Sequence, residues 1–185
     1  MSAIRLKVKK AVGDYDLGAS KFLGSPTLPK RLINAFNDQT IFLLQLRLSD
    51  LKEFDEENLL PHEGYLYIFL DVSNSEYSLK PVVKYTKSVP THCLNGFNDI
   101  VDDYEQYIDD YLIEFEKCDD CEQGNKLFGK PCDWPYLEEA KPLLLQFDPL
   151  ASEMGIFSHL DGYIYLFFGQ DKKTFKDVSI VMDIS

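Results

Sequence analysis

The chain has 185 residues, 45% of them hydrophobic and 14% aromatic, which is enough apolar material for a packed interior and too much for a disordered chain. Its net charge of −12, with arginine only at Arg5, Arg31 and Arg47, argues against nucleic acid as a partner. No apolar run exceeds strand length and the start, "MSAIRLKVKKAV", has no signal-like core, so the expectation is a cytoplasmic protein that does not enter a membrane.

In chain order, "IRLKVKK" (4–10) alternates apolar and basic side chains, which predicts an exposed edge strand with lysines that blunt edge pairing. "KFLGSPTLP" (21–29) follows as a loop with a set course. Gly24 suits a left-handed turn, and Pro26 and Pro29 fix φ and hold their predecessors extended. A short helix is predicted within 29–38. Thr40 to Leu48 is a near-continuous apolar run and predicts a buried strand, interrupted only by the amide of Gln45. "GYLYIFL" (64–70) has the aromatic and β-branched composition of a half-buried strand, two residues after His62. A third strand is predicted at 80–86.

Residues 99 to 122 hold 11 acids and a single lysine, so the acidity of the whole chain is concentrated there. Within them, Ile100, Val101, Tyr104, Tyr107, Ile108, Tyr111, Leu112 and Phe115 recur at three- and four-residue spacing and predict an amphipathic helix over 99–117. Its outer wall would be Asp102, Asp103, Glu105, Asp109, Asp110, Glu114 and Glu116. "CDDC" (118–121) has the spacing of a zinc knuckle or a redox pair, and Cys118, Cys121 and Cys132 are weak metal candidates because a full ligand set is missing. No metal or other cofactor is expected, and acidic neighbours disfavour the reactive thiolate.

Beyond a linker at 122–126, "KLFGKPCDWP" (126–135) repeats "KFLGSPTLP", "LLLQF" (143–147) repeats "FLLQL" (42–46), and "GYIYLFF" (162–168) repeats "GYLYIFL". The offsets of 105, 101 and 98 residues fall in one order, which indicates an internal duplication with units at about 20–86 and 125–184 inside a single domain of 1–185. Cys132 stands opposite Thr27, so the repeated loop is architecture and needs no thiol. A last strand is predicted at 177–183. The fold class expected is α+β, a mainly antiparallel sheet built from two loop-strand-strand-strand units with the acidic helix between them.

Chemistry is sparse. No phosphate loop, nucleophile elbow or zinc-protease helix is present in the sequence. His62 and His159 fall at matching points of the two units, as do Gln45 and Gln146. These four residues define a possible ligand site between the repeats, against the commoner outcome that such side chains bond nearby main chain.

The ordered motifs "SKFLGSPTLP", "FLLQLRLSDL", "LPHEGYLYIFLD", "KLFGKPCDWP", "LLLQFD" and "DGYIYLFF" resemble the YwqG-like family, a bacterial domain of unknown function, from about Ser20 onward. The resemblance implies an α+β fold, supplies no catalytic residue, and implies a role as a cytosolic antidote to a toxin. Two readings stand together. One is a non-enzymatic binding protein, of immunity-protein type, whose acidic surface meets a basic protein partner. The other is a small-molecule or metal-dependent protein, or an enzyme, with its site between the repeats.

Overall fold

A computed structural model describes residues 3–36, 39–73, 79–98, 108–132, 141–149, 154, 162–170 and 174–183. Among these residues, twelve strands carry the fold: β1 (Ala3–Lys10), β2 (Lys21–Phe22), β3 (Thr27–Leu28), β4 (Thr40–Arg47), β5 (Tyr65–Asp71), β6 (Lys80–Thr86), β7 (His92–Cys93), β8 (Tyr111–Cys118), β9 (Lys126–Leu127), β10 (Leu143–Phe147), β11 (Ile164–Phe167) and β12 (Ser179–Met182). Ten form one antiparallel sheet in the order β12-β11-β10-β9-β1-β8-β2-β4-β5-β6, and β3 pairs separately with β7. The end strands β6 and β12 approach each other without sheet hydrogen bonds, so the sheet curls into a nearly closed barrel. Phe175 occupies this seam, its ring 6.2 Å from that of Tyr85 and 6.4 Å from that of Phe168.

The expected α+β class is therefore corrected to nearly all β. Among the described residues the helical pieces are two 3-10 turns, Lys30–Leu32 and Leu48–Leu51, the first lying where a short helix is predicted. The predicted acidic helix is overturned over its second half, which is β8; residues 99–107 lie outside the described residues. The physical reason is a second periodicity in the same letters. Tyr111, Ile113 and Phe115 pack on the main core, while Glu114 between them is exposed, which is the two-residue alternation of a strand. β-Branched and aromatic residues favour that choice.

The basic first strand is corrected as well, because it lies in the middle of the sheet and not at its edge. β1 and β8 pair along their whole length, from Ala3 opposite Cys118 to Lys10 opposite Tyr111. Arg5 stands opposite Glu116 and Lys7 opposite Glu114, so cross-strand charges are complementary. The lysines that look like edge protection are one side of a charged ladder.

The strand order reads as one series of equivalents from both ends: β6 with β12, β5 with β11, β4 with β10, β2 with β9, and β1 with β8. Details repeat too. β4 and β10 each carry an irregularity, between Phe42 and Leu44 and between Leu143 and Leu145. Each lets two successive leucines, Leu43–Leu44 and Leu144–Leu145, enter the same inner core, while Phe42 and Leu143 join outer clusters. Leu66, Ile68 and Leu70 on β5 match Ile164 and Leu166 on β11 and Phe168 just past its end in the inner core. Tyr67 and Phe69 match Tyr165 and Phe167 outside it. These strands read as unbroken apolar runs because both of their faces are covered.

Candidate functional site

Each repeat builds one polar node against the outer face of the sheet. The lead-in loops set the geometry. Leu23 and Gly24 have φ of 57° and 70°, and Phe128 and Gly129 have φ of 63° and 75°, so both copies make the same left-handed double step. Side chains are impossible at the second position without rearrangement. A Cβ on Gly24 would lie 2.3 Å from Asp110 Oδ1, and one on Gly129 would lie 2.5 Å from the Asp120 carbonyl oxygen.

This step folds the loop back over a fully buried lysine at the head of each motif. In the first node, Lys21 Nζ donates to Tyr15 Oη at 2.8 Å, to Asp110 Oδ1 at 2.7 Å and to the Ser25 carbonyl. Asp110 Oδ1 also accepts the Ser25 N–H at 3.1 Å. In the second node, Lys126 Nζ donates to the Asp120 and Lys130 carbonyls, both at 2.7 Å, and to Cys132 Sγ at 3.2 Å. Three donors meet three acceptors in both places, as a buried ammonium requires. Among the described residues, only the first node sets a carboxylate against its lysine.

The two glutamines close these nodes. Gln45 Oε1 accepts the Thr27 N–H at 3.0 Å and its hydroxyl at 2.9 Å, while Nε2 donates to the Ala19 carbonyl at 3.0 Å. Gln146 Oε1 accepts the Cys132 N–H at 3.2 Å, and Nε2 donates to the Gly124 carbonyl at 2.8 Å. Ala19 and Gly124, like Thr27 and Cys132, are counterparts. The amides thus do one job twice, and four strands separate them in the sheet order.

The remaining predicted residues are distributed as follows. His62 Nε2 lies 3.2 Å from the buried Asp55 carboxylate, which also accepts the N–H groups of Leu59 at 3.0 Å and Leu60 at 2.9 Å. It belongs to a loop-stabilising cluster, and His159 lies outside the described residues, as do Asp102, Asp103 and Glu105. Asp109 pairs with Lys10 at 2.5 Å, Asp110 with Lys21 at 2.7 Å, and Glu116 with Lys7 at 2.8 Å and Arg5 at 3.3 Å. Glu114 is exposed. Among the described residues, no three His, Cys, Asp or Glu side chains gather as metal ligands. Burial, and then the nearby Glu122 carboxylate, push the Cys118 thiol above its usual range.

Sequence reasoning assigned no role to Lys21 or Lys126, although a lysine opening both copies of one motif was a visible signal. It also did not find the cavity beside the first node, about 260 Å³ in volume and lined among others by Tyr15, Ser25, Thr27, Cys93, Asn95 and Asp110. Burial, with the Asp110 carboxylate beside it, holds the Tyr15 phenol well above its ordinary range, so it stays protonated. No helix among the described residues is long and apolar enough to cross a membrane. Compared with known proteins, the chain matches no family model, and no curated protein matches it at a significant level.

Proposed function

We propose that this chain is a non-enzymatic binding protein that recognises a basic protein partner through the acidic stretch that precedes β8. One observation carries the reading. The cations of β1 already neutralise Asp109 and Glu116, yet residues 88–116 contain no lysine or arginine, and Asp99, Asp102, Asp103 and Glu105 fall within them. The sheet matches its own acids, and the surplus is local. A focused negative patch steers a basic partner and speeds its association. The motif resemblance to the YwqG-like family, with its implied antidote role, points the same way and belongs to this proposal.

The test is enrichment of partners from cells on the wild-type chain and on the triple reversal Asp102→Lys, Asp103→Lys, Glu105→Lys. The reading expects a partner with an isoelectric point above about 9, association that slows with salt, and loss of binding in the reversal while the thermal transition is kept. A partner of neutral or acidic character, or binding indifferent to salt and reversal, overturns it. A second reading, small-molecule binding, is supported by the cavity beside Asp110, which belongs to the first node, with the exposed Cys93 thiol on its wall. Alkylation of Cys93 that is slowed by a ligand from a metabolite library would favour it.

A further inference from the structure

We infer that Lys126 and Cys132 form an oxidant-dependent covalent cross-link, a sulfur–nitrogen bond that locks the second node. The two reactive atoms are 3.2 Å apart in the resting structure. Lys126 is fully buried, and the Asp120 and Lys130 carbonyls, each 2.7 Å from Nζ, hold the nitrogen against the sulfur. Gln146 fixes the other partner through the Cys132 N–H at 3.2 Å, and Cys132 itself is partly exposed, so a small oxidant reaches it. The comparison within the chain sharpens the point. The first lysine has the Asp110 carboxylate as its ionic partner and a threonine at the position of Cys132. At the second, the side-chain acceptor is an oxidisable thiol.

The oxidant is a hydroperoxide, hydrogen peroxide being the simplest. The Cys132 sulfur attacks one peroxide oxygen, the O–O bond breaks, and the departing hydroxide takes up the thiol proton, so sulfenic acid and water result. Lys126 Nζ, after releasing a proton to solvent, attacks the sulfur with its lone pair. The N–S bond forms, the S–O bond breaks, and the hydroxyl leaves as a second water with another proton from nitrogen. Sulfur is oxidised by two electrons and one peroxide is reduced, so the balance closes with no further reagent. A thiol reductant reverses the link by attack on sulfur.

The experiment uses the full chain with Cys93→Ser, Cys118→Ser and Cys121→Ser, in which Cys132 is the remaining cysteine and an intrachain disulfide is impossible. After hydrogen peroxide treatment, the expected product is lighter by about 2 Da, reverts with dithiothreitol and resists trypsin after Lys126. Gains of about 16 or 32 Da that leave trypsin cleavage at Lys126 intact, or a disulfide-linked dimer, overturn the inference. The same measurement on the wild-type chain, read as the Lys126-to-Cys132 linked peptide, guards against failure of the triple variant to fold. Absence of that peptide there also overturns it.

Discussion

The two lysine nodes are one solution reached with different chemistry. Both bury an ammonium under a left-handed loop and close it with a strand glutamine, but one contains a true ion pair and the other uses main-chain carbonyls and sulfur. The shared parts are what the backbone demands. The parts that differ sit where the polypeptide leading into each loop differs: residues 13–17 with Asp110 at the first, and residues 119–122 at the second. The lesson is that a duplicated scaffold fixes a buried charge but leaves its neutralisation free to drift.

Four measurements break or sharpen that comparison. The largest difference is expected from the lysines themselves, by chemical denaturation. Lys21→Met strands the Asp110 carboxylate and should cost about 3–5 kcal/mol, with partial recovery on adding Asp110→Asn. Lys126→Met orphans no carboxylate among the described residues and should cost about 1–3 kcal/mol. Equal losses would mean that the carboxylate is irrelevant. Next, Gly129→Ala meets the Asp120 carbonyl oxygen at 2.5 Å, and Gly24→Ala meets the Asp110 carboxylate that holds Lys21, with the Asp110 backbone nitrogen at 2.9 Å. We expect about 2–4 kcal/mol for each. A negligible loss at either position would mean that its loop can shift away from the neighbour it touches.

Tyr67 offers a subtler test in the outer cluster of the first repeat, because its buried hydroxyl has no hydrogen-bond partner among the described residues. Tyr67→Phe should be neutral or stabilising by about 1 kcal/mol in thermal unfolding, and destabilisation would reveal an acceptor. The smallest effect concerns the ladder between the units. The hydrogen bond from Lys7 holds the Glu116 carboxyl below its usual range, with burial opposing. A depressed folded-state value contributes stability above the ordinary carboxylate value near 4 and loses it as pH falls further. Glu116→Gln should therefore flatten the acid side of a Tm-against-pH profile without shifting the neutral plateau.

Much of the sheet was legible. The motif pairs that the sequence aligns become β2 with β9, β4 with β10 and β5 with β11, since apolar runs with turn glycines have few other uses. The acidic stretch misled because 108–115 satisfies two periodicities at once, and only the basic strand far away in the chain decides between them. Burial of Lys21 was illegible for the same kind of reason: its carboxylate lies 89 positions away. Gln45 and Gln146 were legible as a pair, but their role as clasps depends on the lead-in loop, which no spacing in the strand reveals.

The β1–β8 ladder has one more implication. Leu112 meets Lys21 as Arg5 meets Lys126, which makes Lys7 and Glu114 counterparts, and these two also face each other. The pseudo-twofold axis runs between them. A half-chain joining its own twin across that axis would set lysine against lysine, or glutamate against glutamate. Only unlike halves agree, so the charge difference between the two units disfavours the pairing of like halves across this axis.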